Sequence, residues 1–274
     1  VSEALKPYTD LLELTDIDSV RDKAFNLIIQ LFEGTLPCVE ERPPLSGNCD
    51  IRLMSNIGFL ADALVKYERP ELNELFGYML QVVLANDPSS FAFVGGLTEG
   101  IVDETIPQDI LQLLFSALPS LFGGAESPDM RQNLTDLMKN LVLKHPDFIE
   151  QVTGVSQIIE QWFEQALQSR EGNELFISNA ASLFLVLGNR QTDFNRRLIV
   201  LALDEFPCHD KLETPVMFDE IKTLLQNDSL RTFDVVSGAT LGLVRLVLLK
   251  DSALCEHGFD EGMKHTALDM LRTL

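Results

Sequence analysis

Residues 51–83 read IRLMSNIGFLADALVKYERPELNELFGYMLQVV, and the spacing of their apolar residues predicts two amphipathic helices separated by a break. Ile51, Leu53, Met54, Ile57, Leu60, Ala61 and Leu64 recur at the three- and four-residue intervals of one helix face over 51–65. Pro70 is tolerated in a first helical turn, where its missing N–H would have no intrahelical partner. It reopens a helix that turns Leu72, Leu75, Phe76, Met79, Leu80 and Val83 inward. Two such helices joined by a short connection make an antiparallel pair. Neither can bury its stripe alone, so the pair calls for neighbours.

The same pattern extends in both directions. Upstream, Ser19–Phe32 carries Val20, Ala24, Phe25, Leu27, Ile28, Leu31 and Phe32 at helical spacing, with Asp18 as N-cap. Downstream, Ser89–Val102 pairs with Pro107–Leu121. Ser127-Pro128-Asp129 supplies a cap, an N1 proline and an acidic first turn for a helix that stops at His145-Pro146. Its partner runs from Val155 to Leu167. Leu175–Leu187 then pairs with Phe194–Leu203, and Val216–Leu225 with Leu230–Leu249. Glu261–Leu271 is the final helix.

Successive pairs start near Asn48, Asp87, Ser127, Glu171 and Thr214, about 40 to 44 residues apart, the period of HEAT and armadillo arrays. The expectation is an all-α, HEAT/armadillo-like solenoid over residues 1–274, with at least five pairs and no sheet. Val1 is no initiator methionine and Leu274 closes a helical run without a glycine cap. Because solenoids end in polar capping repeats, the chain is expected to be part of a longer one. Residues 34–48 hold Pro37, Pro43, Pro44 and Gly47, a composition that predicts an extended loop. Gly95, Gly96 and Gly100 weaken their helix and predict close helix approach or a kink. That reading is favoured over a phosphate loop, since no strand precedes and no Lys-Ser/Thr follows.

Charge is the second clue. Against 21 Lys+Arg stand 42 Asp+Glu, a formal net charge of −21. That field repels phosphate backbones and anionic lipid and attracts basic ligands; it also serves simple solubility, and both readings stand. Direct nucleic-acid and membrane partners are not expected. The most apolar stretch, Val235–Leu249, contains Arg245 and falls short of the roughly 20 residues that span a bilayer, so it reads as a buried helix. The start lacks a signal-peptide pattern, which points to cytoplasm and nucleus. Cys38, Cys49, Cys208 and Cys255 lie far apart, without a disulfide framework or CxxC spacing. The triplets Asn133-Leu134-Thr135 and Asn227-Asp228-Ser229 are then chance matches to a glycosylation pattern.

No P-loop, GxSxG elbow or HExxH helix is present, so a non-enzyme is expected, with no cofactor. Cys208-His209 and Cys255-Glu256-His257 contain zinc-ligand types in no zinc-module spacing, and no metal is expected. Two acidic groupings are candidate protein-binding sites. One is the turn with Asp204, Glu205, Asp210 and Glu213. The other is Glu160 and Glu164 around Trp162, where an aromatic beside carboxylates can hold Lys or Arg. Trp162 also fits the apolar pattern of Ile158, Ile159 and Phe163, which reads as core.

The run Leu201-Ala202-Leu203-Asp204-Glu205-Phe206-Pro207-Cys208-His209-Asp210-Lys211-Leu212-Glu213, followed by Val216-Met217-Phe218, resembles the leucine-proline-acidic turn between late HEAT helices of nuclear import receptors of the karyopherin-β superfamily. Ser178-Asn179-Ala180-Ala181-Ser182 resembles the Asn-Ala-Ala start of their helices, with echoes at Arg52–Gly58 and Leu118-Pro119. Ala117-Leu118-Pro119 offers a second register for the turn. The resemblance covers about residues 47–274 and implies the carboxy-terminal part of an importin-like receptor. It further implies basic cargo on acidic inner surfaces, with Ran GTPase and nucleoporins as partners of the full-length protein. A HEAT-repeat assembly scaffold or adaptor shares every compositional feature, and an all-helical enzyme domain would require convergent carboxylates in a cleft.

Overall fold

The predicted apolar stripes that fall on described residues lie in helices, and no strand occurs among those residues. The computed structural model describes residues 18–32, 51–65, 67, 72–84, 91–191, 194–249 and 258–274. The loop expected at 34–48 lies outside the described residues, as do Cys38, Cys49, Cys255 and His257. The helices form two compact units that divide between Val155 and Ser156.

In the first unit the helices are α1 (Asp18–Phe32), α2 (Ile51–Val65), α3 (Leu72–Leu84), α4 (Phe91–Val102), α5 (Gln108–Gly124) and α6 (Pro128–Lys144). Helix α1 packs on α2 and α3, α2 on α3, α3 on α4 and α5 on α6, and the broadest contacts join helices two places apart. Thus α2 lies against α4 and α4 against α6, while α3 lies against α5. Two rows result, and the core lies between them: Leu60 and Leu64 of α2, Phe76 and Met79 of α3, Phe93 and Leu97 of α4, Leu114 and Leu118 of α5, Leu134 and Leu141 of α6 are all buried.

Glycine lets these helices approach. A Cβ on Gly58 of α2 would sit 2.6 Å from the Ala92 Cβ and 3.1 Å from the Ala92 carbonyl carbon, on α4. On Gly100 it would sit 2.4 Å from the Phe76 ring, so the expected close approach is present at this residue. Gly95 has open space instead and makes no close contact. The start of α6 follows its sequence signal. Ser127 Oγ accepts from the Met130 N–H at 3.1 Å and Pro128 opens the first turn, while the chain leaves the helix at His145. Pro119, the second register considered for the acidic turn, lies inside α5 and marks no turn.

A 3-10 turn at Pro146–Phe148 leads directly into α7 (Ile149–Gln168), so this helix begins earlier than the predicted Val155. Pro146-Asp147 was its start signal, a proline followed by an acidic first turn. The second unit begins within α7 and continues with α8 (Glu174–Arg190), α9 (Arg196–Asp204), α10 (Glu213–Gln226), α11 (Phe233–Leu248) and α12 (Glu261–Thr273). Again α8 packs on both α9 and α10, α9 on α11, and α11 on α12. Helix α8 is the most enclosed, with Phe176 through Gly188 buried without interruption.

Helix α11 corrects one expectation. Val235, Ala239, Leu243 and Leu246 are buried, but Phe233, Leu241 and Leu248 stand out in solvent, Phe233 at 84 % exposure. The helix is therefore buried on one face rather than all round. No helix among the described residues is long and apolar enough to cross a membrane.

Candidate protein-binding surfaces

The acidic turn from Asp204 to Glu213 is built around Phe206. This ring is fully buried, stacked on Phe218 at a centroid distance of 6.4 Å and met edge-on by Phe259 at 5.8 Å. Gly242 of α11 admits it, since a Cβ there would lie 3.0 Å from the Phe206 ring. Arg245, also on α11, donates to the Asp204 carbonyl at 2.7 Å and caps the end of α9. Gly258, at φ +73°, brings its backbone so close to the Lys211 carbonyl that a Cβ would lie 1.9 Å from that oxygen. Only glycine suits that conformation and that space.

The four carboxylates of this turn do not form one exposed patch. Glu205 receives both Arg170 guanidinium nitrogens, at 2.5 and 2.9 Å, and its side chain is only 11 % exposed. Asp210 Oδ1 accepts from the Leu212 N–H at 2.9 Å, closing a local turn. Glu213 is buried in the first turn of α10. Asp204 alone combines an exposed side chain with no ion pair among the described residues. The connection between α9 and α10, residues 205–212, must satisfy its own backbone, and Asp210 does so as a turn acceptor.

Behind the turn lies Cys208, buried, donating to the Asp210 carbonyl at 3.2 Å and 3.1 Å from Thr214 Oγ1. Burial pushes its thiol up; Glu213 adds to this, and hydrogen bonds with Thr214, Ser178 and Asp210 oppose it. A thiol held protonated is a poor nucleophile and a poor metal ligand. Among the described residues no group of His, Cys, Asp and Glu is arranged to hold a metal ion. The Ser178–Ser182 segment sits one turn inside α8, with Ser178 Oγ accepting from the Asp210 N–H at 3.4 Å.

Glu160, Trp162 and Glu164 fall on α7, and the structure ties both carboxylates to the start of α9. Asn195 Nδ2 reaches Glu160 Oε1 at 3.4 Å, and Arg197 Nη2 lies 2.6 Å from Glu164 Oε1. Trp162 is half-buried, edge-on to Phe176 at 6.4 Å, so it belongs to the α7–α8 packing and keeps one side in solvent. Glu160 and Glu164 thus meet cations and amides of the chain itself.

A third acidic grouping was not singled out in the sequence. Glu99 and Asp103, at the end of α4, share a face with Asp136 on the neighbouring α6. Burial by surrounding protein, then repulsion from Asp103 and Asp136, pushes the Glu99 carboxyl up although the residue still reaches solvent. Asp136 is partly compensated by Lys139 at 2.7 Å and by the Asn140 amide at 3.1 Å. Asp103 makes no ion pair among the described residues. Spacing of four residues places Glu99 and Asp103 together, but only the α4–α6 contact adds Asp136. No protein-family model matches the chain, and no curated protein matches it with significant similarity.

Proposed function

We propose that this chain is a helical-repeat binding module of HEAT type that takes Lys/Arg-rich segments of other proteins, as in a nuclear import receptor. The observation that carries the reading is the crowding of Glu99, Asp103 and Asp136 on adjacent helices of one row. Like charges held together raise the energy of the empty surface, and a cationic ligand lowers it. Helices that pack both on their successor and two places along suit a repeat stack, whose successive faces present such surfaces side by side. The net charge of −21 steers basic partners toward it. The importin assignment itself rests on the resemblance of residues 201–218, and with it come Ran and nucleoporins as partners of the full-length receptor.

Fluorescence anisotropy with a labelled Lys/Arg-rich peptide tests the binding reading. Affinity should fall as salt rises from about 50 to 300 mM, because exposed attraction is screened over about 8 Å near physiological ionic strength. Glu99→Gln combined with Asp103→Asn should weaken binding several-fold, whereas Asp204→Asn should matter less. Salt-independent affinity, or an undisturbed double variant, would remove the basis for this surface. Release of the peptide by Ran-GTP from the full-length protein separates a transport receptor from an assembly scaffold.

A further inference from the structure

Helix α4 is enclosed by its neighbours except along one strip, where Phe91, Gly95, Glu99 and Val102 reach solvent at helical spacing and Asp103 follows. At the start of the strip Phe91 meets Phe59 of α2 edge-on, at a centroid distance of 6.5 Å. Phe59 is 47 % exposed, so the two rings form an apolar patch open to solvent. Asn133 of α6 donates to the Phe91 carbonyl at 2.8 Å and fixes this end of the strip from the other side. Gly95 comes next. A Cβ there would meet nothing within 4 Å, so no packing contact requires a glycine, although glycine weakens a helix interior. Its missing side chain leaves a bare saddle between the rings and the acids. At the far end Lys139 takes Asp136 at 2.7 Å and Lys144 takes Glu104 at 3.2 Å, whereas Glu99 and Asp103 have no ion pair among the described residues.

We propose that this strip takes an extended segment of a partner protein in which a large apolar side chain lies about four residues from a Lys/Arg pair. This rests on the proposed grip of Glu99 and Asp103 on basic segments, to which it adds an apolar anchor and a spacing. From Phe91 to Glu99 the helix advances about 12 Å, at about 1.5 Å per residue. An extended chain covers that distance in about four residues. The apolar side chain packs on the Phe59 and Phe91 rings, the segment's backbone crosses Gly95, and its two cations face Glu99 and Asp103. Charge decides among occupants: free carboxylates at one end call for cations, and the net charge of −21 opposes a second copy or an anionic membrane surface. All of these residues lie in the first unit.

The test is fluorescence anisotropy with three labelled peptides on a Ser/Gly background. One carries Phe about four residues from a Lys-Arg pair, one has Ser in place of that Phe, and one has Phe moved next to the pair. The first is made in both orders, Phe before and after the cations, and the tighter is compared. It should bind about five- to tenfold more tightly than the other two, the gain expected from burying part of one aromatic side chain. Phe59→Ala should erase that difference. Gly95→Gln, which fills the saddle with a good helix former, should weaken the first peptide several-fold. Circular dichroism of both variants confirms that they remain folded. Equal, salt-dependent affinity of the first two peptides overturns the apolar anchor and leaves the grip on basic segments standing. No binding of any peptide by about 1 mM, a concentration at which even weak docking is visible, overturns both. A Phe advantage that survives Phe59→Ala, or that is the same at either spacing, overturns the proposal, as does an undisturbed Gly95→Gln. A Phe59-dependent dimer in sedimentation would assign the face to a second copy and overturn it too.

Discussion

Replacing Gly58 by Ala tests how closely α2 and α4 pack, the contact that sets the spacing of their row. In isolation the change favours the helix by about 1 kcal/mol, since glycine is the poorer helix former by that amount. Packing opposes it. The new methyl would lie 2.6 Å from the Ala92 Cβ, 3.1 Å from the Ala92 carbonyl carbon and 3.3 Å from the Phe93 nitrogen. Relaxed carbon contacts lie near 3.5–4.0 Å, so the helices must part by roughly 1 Å. Backbone is among the obstacles, and no rotamer change relieves it; overpacking of this kind costs about 1–3 kcal/mol. The net expectation is destabilisation by up to about 2 kcal/mol, or a fall in Tm of up to roughly 6 °C for a chain of this size. Gly95→Ala on α4 is the matched control, since a Cβ there meets nothing within 4 Å, and it should stabilise by up to about 1 kcal/mol. Urea titrations followed by helix ellipticity measure both. In addition, Ala92→Gly should cost less in the Gly58→Ala background than alone, because it relieves the clash. If Gly58→Ala stabilises the protein as Gly95→Ala does, then α2 and α4 do not meet at this separation and the row is wrongly drawn.

Three further outcomes are expected. Glu99→Gln should stabilise the fold near neutral pH. The raised pKa of Glu99 means that its ionised form is penalised in the folded state, so wild-type stability declines as pH rises from the ordinary carboxyl value of 4.5 through the raised one. The advantage of the variant should therefore vanish in melts below about pH 4, where the carboxyl is protonated in both states. Arg190→Met should cost about 2–3 kcal/mol in urea titrations, because it leaves the buried Glu220 carboxylate with only the Asn189 amide at 2.6 Å, where Arg190 had donated at 3.1 and 3.2 Å. Ser127→Ala should cost about 1 kcal/mol through loss of the cap on the Met130 N–H, and Ser127→Asp should retain most of the stability in the same assay.

Helix periodicity was legible because burial imposes it directly. A helix packed on one side must repeat its apolar residues every three or four positions, and Ile57, Leu60, Ala61 and Leu64 do so in sequence and are buried in the structure. The burial of α11 was overestimated from composition: its mean apolarity is high, but Phe233, Leu241 and Leu248 fall opposite Val235, Ala239, Leu243 and Leu246. Charge was less legible still, because a carboxylate's role depends on what approaches it from elsewhere in the chain. Glu205 looked free until Arg170, thirty-five residues away, was seen to occupy both of its oxygens. Glu99 and Asp103 looked ordinary until α6 brought Asp136 beside them. The same sequence feature, a run of acidic residues, thus ends in opposite states. In the turn, Glu205 is taken up by Arg170, Asp210 by the Leu212 N–H and Glu213 by burial, which leaves only Asp204 exposed. At the end of α4, Glu99 and Asp103 have no ion pair among the described residues while Lys139 answers Asp136 on α6, and a basic ligand gains most where the protein has not already supplied its own cation.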